Sequence, residues 1–403
     1  MADHPPKSLS ICMLSEDFLP GATGVGTHLQ AICPELVARG HRVAVITTRR
    51  PGEPEREVWQ GVQVFRVATV KLFGFYQALA SARTIGAIFD EVRPDLVHHH
   101  YLGLLLLRGM RAASQRGLPQ VYTYHMTEDH LTQPLPMRPL RGLLAREIVR
   151  RCNRMDLVIS VSRNLARTLP AKGITAPVSY ISNPVNFPDI SQVEPAPRDA
   201  GFVVMFAGRL NPEKNLPLLL RGFAALRHTV PDASLWIAGE GAERQALEKV
   251  CLRLGIASQV RFLGFLDRAS LAARYAACDV FVLPSLVETQ GLVAMEAMRF
   301  GKPVIVARSV VSADELVDEG ASGFIVDHAD ASQLGERLLR LATDAGLRLS
   351  MGEAGRHRSE SFGPEQVLPV VEEVYSRVLR SHPRGTTGAG RHPDSLRDGA
   401  APA

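Results

Sequence analysis

The chain has 403 residues, 46% hydrophobic and 22% charged, and carries a net charge of +5; it is too long for one ordinary core and has the balance of a globular, water-compatible chain of two domains. Five scattered cysteines (Cys12, Cys33, Cys152, Cys251, Cys278) form no C-x-x-C pair, which argues against a disulfide framework or a cysteine zinc site and for a reducing compartment. No apolar run approaches the roughly 18–20 residues of a membrane span, and Met1-Ala2-Asp3-His4-Pro5-Pro6 does not read as a signal peptide, so a cytoplasmic location is expected.

In chain order, short apolar strands alternate with amphipathic helical stretches. The first half is expected to have strands at Ser10–Leu14, Arg42–Thr47, Val62–Val67, Asp95–His99, Gln120–Tyr124, Leu157–Ser160 and Val178–Ile181. The second half repeats the pattern at Phe202–Ala207, Ser234–Ala238, Val260–Leu263, Val280–Leu283, Pro303–Val306 and Gly323–Val326. The alternation predicts an α/β chain of two doubly wound, Rossmann-like domains with mostly parallel sheets and a cleft between them. The Pro-rich stretch from Asn183 to Ala200 reads as the linker. The expected division is 1–186, 187–365, a helix at 366–380 that returns to the first domain, and a disordered tail at 381–403. Charge divides unevenly: residues 1–186 hold 22 Lys+Arg against 14 Asp+Glu, whereas 187–365 hold 19 against 23. A basic first half suggests an anionic partner, although an arginine-rich composition alone would look the same.

In doubly wound sheets, ligands bind at the carboxyl ends of strands, and the chemistry-bearing residues follow strands throughout. Gly24, Val25 and Gly26 lie in a glycine loop after the first strand, suited to close approach of a phosphate or sugar or merely to a tight turn. It is neither a dinucleotide fingerprint nor a Walker loop. His98-His99-His100 ends one strand and His125 the next, with Asp129 four residues on. Strand alternation lets at most two of the three adjacent histidines share a face, and a zinc site needs more ligands than this neighbourhood offers. His125 is a candidate hydrogen-bond partner for a sugar, and Asp129 for an acceptor hydroxyl. Six arginines in Arg138–Arg154 flank a helical stripe of Leu140, Leu143, Leu144, Ile148 and Cys152. Such a helix either packs its stripe on the domain or lies on an anionic membrane. No aromatic platform accompanies the arginines, so nucleic acid is not expected.

The second half opens with Gly208-Arg209-Leu210-Asn211-Pro212-Glu213-Lys214-Asn215, two fixed cations on one loop. Arg209 and Lys214 can hold a diphosphate, or pair with Glu213 as an ordinary surface loop. Downstream, Glu288-Thr289-Gln290-Gly291-Leu292 runs from a strand into a helix that contains Glu296. Two carboxylates flanking a helix start, whose free N–H groups suit a phosphate, fit a nucleotide-sugar. No Asp-x-Asp triplet occurs, so neither a metal nor another cofactor is expected.

Taken together, the Glu288/Glu296 spacing, the Arg209–Asn215 loop, the Gly24–Gly26 loop and the later Gly301-Lys302-Pro303-Val304 resemble the retaining glycosyltransferases of family 4, over about residues 9–380. The resemblance implies a GT-B fold, Arg209 and Lys214 on the donor diphosphate, and Glu296 on the ribose. It also implies Glu288 and His125 near the donor sugar, the N–H groups of Gln290, Gly291 and Leu292 near sugar and phosphate, and Gly24 and its neighbours near phosphates and acceptor. Glu288-Thr289-Gln290-Gly291-Leu292 and Tyr124-His125-Met126-Thr127-Glu128-Asp129 are similar to bacterial diacylglycerol glucosyltransferases, which implies UDP-glucose as donor and a lipid acceptor at the inner membrane face. A soluble sugar or small-alcohol acceptor, GDP-mannose as donor, a nucleotide-sugar epimerase and a non-catalytic sensor remain alternatives. Where many family members carry Gly-Gly before Pro-Glu-Leu-Val, this chain has Val311-Ser312-Ala313-Asp314-Glu315-Leu316-Val317.

Overall fold

The computed structural model describes residues 8–19, 24–72, 75–100, 102–127, 141–185, 190–198 and 201–382. Two sheets organise it. The first has eight strands: β1 (Ser10–Leu14), β2 (Arg42–Thr48), β3 (Arg56–Trp59), β4 (Val62–Val67), and, after the hairpin β5 (Thr69–Leu72) and β6 (Phe75–Ala78), β7 (Leu96–His99), β8 (Gln120–Tyr124), β9 (Leu157–Ser160) and β10 (Val178–Tyr180). Their spatial order is β10-β9-β8-β7-β1-β2-β4-β3. The second has β11 (Val203–Ala207), β12 (Ser234–Ala238), β13 (Val260–Gly264), β14 (Val280–Leu283), β15 (Val304–Ala307) and β16 (Gly323–Val326), ordered β13-β12-β11-β14-β15-β16. Every pairing in the second sheet is parallel.

The strand sequences explain this arrangement. Val280-Phe281-Val282-Leu283 and Val304-Ile305-Val306-Ala307 are buried at every position, as strands covered by helices on both faces must be. The edge differs from expectation: Arg56–Trp59 adds an antiparallel strand beside β4, and β5–β6 form a separate hairpin. Both lack the continuous apolar run that marked the inner strands, since an edge strand needs only one covered face.

The helix Pro364–Ser381 packs Leu368, Val371 and Tyr375 into the core that holds Ile11, Met13 and Leu96 of the first sheet. Its Glu372 accepts or shares a hydrogen bond with His41 at 3.0 Å, and Tyr375 Oη lies 2.7 Å from His98 Nδ1. The helix therefore crosses back from the second sheet to the first. His382, just beyond it, bonds Asp156 at 2.7 Å, so the first two residues assigned to a disordered tail are fastened. Residues 383–403, and Asp129 and Arg138 with their neighbours, lie outside the described residues.

In each sheet the chain builds outward from one central strand, then returns to build the other side. The reversals lie between β1 and β7 and between β11 and β14. Four connections follow these strands; one leads to the helix that starts at Gly24, so Gly24–Gly26 open a helix and not a loop, and the others carry His100, the Arg209–Lys214 segment and Glu288. Ligands of open α/β sheets seat at such reversals.

Candidate active site

Pro212–Lys214 forms a short 3-10 turn after β11, and Asn215 then takes a left-handed conformation (φ 51°) that starts the helix Leu216–Arg227. This turn brings Lys214 Nζ to 2.6 Å from Glu288 Oε2. Arg209 stays half-exposed, 3.5 Å from Glu213 Oε1. The surface-loop alternative therefore describes Arg209, whereas Lys214 reaches across to the carboxylate on the β14 loop.

Gly291 holds φ +79°, and a Cβ there would come within 2.5 Å of Leu283 Cδ2. Only glycine fits this corner, from which the helix Leu292–Arg299 starts with its first N–H groups free of helical partners. Opposite stands the start of the helix Gly24–Ala38: a side chain at Gly24 would approach Leu292 Cδ1 to 3.9 Å. Two helix starts, one from each sheet, thus meet beside the Lys214–Glu288 pair. Both attract anions through free N–H groups and the helix dipole. Gly24 is exposed, and Val25 and Gly26 are buried behind it.

Glu296 lies one turn further along and is buried. Its Oε2 accepts a hydrogen bond of 3.0 Å from the Tyr275 hydroxyl. Burial pushes its carboxyl up to about 7, against weaker downward pulls from the Arg268 charge and the Tyr275 hydrogen bond. A second buried carboxyl, Glu16, stands after β1. It accepts the Leu105 N–H at 2.9 Å and caps the helix Leu104–Ser114, whose own cap, Gly103, has no side chain to do so. A Cβ at Gly103 would collide with that carboxylate. Burial raises Glu16 to about 7.

The first-sheet wall is built of imidazoles. His125 and His100 approach at 3.2 Å (Nε2 to Nδ1), and His28, from the helix Gly24–Ala38, sets its ring edge-on to that of His125, 4.8 Å between centroids. All three are buried. Burial lowers His28 to about 4, with the Asn183 side chain pulling it partly back, and holds His100 and His125 well below the usual imidazole range, aided by their mutual repulsion. The expectation that this neighbourhood is short of ligands missed His28, which folding brings from 72 residues upstream of His100. As predicted, His99 faces away, to Gln120 at 3.1 Å, while the His98 and His100 rings lie tilted against each other, 3.9 Å between centroids.

Side chains also join the two sheets. Thr289 donates its hydroxyl to the His125 carbonyl at 2.7 Å. Gln290 accepts from Asn183 N and Nδ2 (3.1 and 2.6 Å) and donates to Ser182 Oγ at 2.6 Å. Glu315 accepts from Ser162 Oγ, Arg163 N and Asn164 N at 2.7, 2.9 and 2.7 Å, capping the helix Arg163–Thr168 from the opposite half. The Val311–Val317 segment, which departs from the family pattern, therefore spends both its carboxylates, Asp314 (accepting from Asn164 Nδ2 at 2.6 Å) and Glu315, on joining the two halves. Sequence reading missed Glu315, Asn183, Tyr275 and Glu16, none of which carries a local signal; His28 follows the Gly24–Gly26 segment and was the one legible candidate.

The arginine-rich helix runs Arg141–Cys152. Ile148 and Cys152 are buried, but Leu143 is 66% exposed, so the expected stripe splits between core and solvent. A groove of about 490 Å³ separates it from the helix Leu104–Ser114, lined by Arg111, Arg150, Arg151 and Arg154, with Glu147 pairing Arg150 and Arg151. Among the described residues no helix is long and apolar enough to cross a membrane.

Comparison with known proteins agrees with this geometry. The family description "Glycosyltransferase Family 4" matches residues 22–187, and "Glycosyl transferases group 1" matches residues 189–358. A relative named D-inositol 3-phosphate glycosyltransferase, from Streptomyces bingchenggensis, is 31% identical over 413 residues, covering 90% of this chain and 86% of its own. Among solved structures, sucrose-phosphate synthase from Thermosynechococcus elongatus superposes with a TM-score of 0.78 at 21% identity, covering 92% of this chain and 99% of its own. Anabaena Alr3699/HepE, solved in complex with UDP-glucose, gives 0.72 at 22%, covering 93% and 100%. With the two descriptions meeting between residues 187 and 189 and a relative of this identity along most of its length, the chain belongs to the family 4 glycosyltransferases and has their two-sheet GT-B fold.

Proposed function

We propose that this glycosyltransferase moves a hexose from UDP-glucose to a membrane lipid hydroxyl such as that of diacylglycerol, with retention of configuration. The observation that carries the donor assignment is the Lys214–Glu288 pair of 2.6 Å beside two opposed helix starts. It is a cationic, amide-lined seat of the kind a diphosphate needs. Arg209, half-exposed on the same loop, swings onto the diphosphate when donor enters, and Lys214 exchanges Glu288 for the phosphate. Glu288 is then released towards the sugar hydroxyls. Glu296 holds the ribose, and the N–H groups of Gln290, Gly291 and Leu292 complete the seat. Arg209, Lys214 and the helix starts supply the positive charge for the leaving diphosphate, so the transfer step is assigned no metal. His125 borders the sugar, and Asp129 is assigned to the acceptor side. Same-face attack assisted by the leaving phosphate needs no protein nucleophile. The choice of uridine and glucose is supported by HepE, which binds UDP-glucose in the same fold.

The lipid acceptor draws on the basic first half and on the arginine-lined groove beside the exposed Leu143, which suit an anionic membrane surface. A second reading, a soluble phosphorylated cyclitol, is favoured by the name of the relative above. One experiment separates them. Purified enzyme is given UDP-glucose with diacylglycerol in anionic vesicles or with inositol phosphate in buffer, and released nucleoside diphosphate and glycosylated product are measured. Lipid product only in the vesicle arm supports the first reading. Product only in the soluble arm replaces it with the second. No release from any activated sugar in either arm removes both.

A further inference from the structure

Three imidazoles from three separate elements converge at the seam between the sheets. His28 comes from the helix Gly24–Ala38, His100 follows β7, and His125 follows β8. One ring nitrogen from each lies within 4.8 Å of the other two, and all three side chains are buried. Neither nitrogen of His28 makes a hydrogen bond of normal geometry; the unpartnered nitrogen of His100 is Nε2, not the Nδ1 that faces His125. Buried imidazole nitrogens are not ordinarily left unpartnered, because each forfeits its bond to water on folding. The 3.2 Å between His100 Nδ1 and His125 Nε2 matches the spacing of about 3.3 Å that two imidazoles adopt on one tetrahedral ion with bonds of 2.0–2.1 Å. His98, its ring tilted against that of His100, has both nitrogens occupied by Tyr375 and Thr123, so it fixes the His100 ring without competing as a ligand. The Asn183 side chain interacts with His28, and its Oδ1 makes no other hydrogen bond. It is placed as the outer-shell acceptor that ligating histidines commonly use.

We propose that His28, His100 and His125 form a three-histidine site for a late first-row divalent cation, Zn²⁺ being the type, with the fourth position left to water. Neutral imidazoles suit zinc, nickel or copper, and the absence of carboxylate ligands disfavours magnesium and calcium. An ion here fastens the wall from which His125 and Asn183 bond the second sheet through Thr289 and Gln290. The site shares His125 with the sugar-facing wall of the proposed function, so its test reads metal binding and not turnover.

The test uses full-length protein stripped with chelator and titrated with Zn²⁺ by calorimetry and with Co²⁺ by visible absorption. The expected result is one tight equivalent of either ion, a four-coordinate Co²⁺ spectrum, a raised melting temperature with Zn²⁺, and no uptake of Mg²⁺. His28→Gln and His100→Gln should each weaken that equivalent at least tenfold and abolish the Zn²⁺-dependent rise in melting temperature. Circular dichroism of both metal-free variants checks that they fold. His382→Gln, outside the cluster, should bind as the wild type does. No equivalent in the wild-type protein, an octahedral Co²⁺ spectrum, or an equivalent undiminished in folded His28→Gln would each overturn the proposal.

Discussion

The two walls of the cleft solve the same problem with opposite chemistry. The second-sheet wall carries formal charge, Lys214 against Glu288 and Arg209 against Glu213, at the mouth of a helix start. Without a bound ion, the first-sheet wall carries none at its centre: His28, His100 and His125 are buried and neutral. The charged wall stays half-wet and can exchange partners when an anion arrives. The neutral wall is dry, and every proton added to it is costly. A dinegative leaving group needs the first kind, and a snug uncharged sugar suits the second. The contrast teaches that the positive charge of the N-terminal half is absent from this imidazole wall; four of its arginines line the groove beside the helix Arg141–Cys152.

The most severe way to break the contrast is to discharge the charged wall. Lys214→Ala should lower kcat/KM for the nucleotide-sugar by about 10²–10³, the usual loss when one donor to a developing anion is removed, with an unchanged circular dichroism spectrum. A change below tenfold would move the diphosphate away from this loop.

Next in size is the opposite pH response of the walls in metal-free protein. His28 sits at about 4 in the fold against an ordinary 6.5. The unfolded chain takes up its proton first, so the stability it contributes is complete above about pH 6.5 and is lost as pH falls towards 4. Glu296 sits at about 7 against 4.5. Here the folded chain holds the proton longer, so stability is complete below about pH 4.5 and declines as pH rises towards 7. Each swing is on the order of 3 kcal/mol. Urea titrations from pH 4.5 to 8 should show His28→Phe flattening the acidic limb and Glu296→Gln flattening the limb towards neutrality. If both variants flatten the same limb, the contrast is wrong.

A smaller effect tests the contact that holds the walls together. Glu315→Ala removes the acceptor of three hydrogen bonds from Ser162, Arg163 and Asn164. It should cost about 1–3 kcal/mol and increase the radius of gyration in solution scattering as the halves part. An unchanged radius with lost stability would make Glu315 a helix cap only. The smallest expected change concerns the outer groove. Arg154→Gln should weaken binding to anionic vesicles about fivefold, a charge near the surface contributing about 1 kcal/mol, while turnover of soluble donor stays as it was. Equal vesicle binding would move the membrane face elsewhere.

How much of this was legible beforehand depends on whether a signal is local. The inner strands were read to within a residue or two because their burial on both faces writes continuous apolar runs. Strand β3, with its pattern of exposed and half-buried residues Arg56–Trp59, and the hairpin β5–β6 left no such run. Glu288, Glu296, Arg209 and Lys214 were legible because each lies on a loop or helix start a few residues from a recognisable strand. Their pairing was not: loop composition allowed Glu213 to either cation, and only the turn at Pro212–Lys214 delivered Lys214 to Glu288 across 74 residues.

The sequence alone determined the two large, mostly parallel sheets and the strand order in the chain, because hydrophobic period and glycine or proline punctuation act over a few residues. Only tertiary structure decided that His28 joins His100 and His125, that Tyr275 holds Glu296, and that Glu315 caps a helix of the other half. Those contacts join residues 21 to 153 positions apart. The chain brings such positions together only when strand order and helix packing are already fixed, and no pattern within a few neighbours records where they will meet.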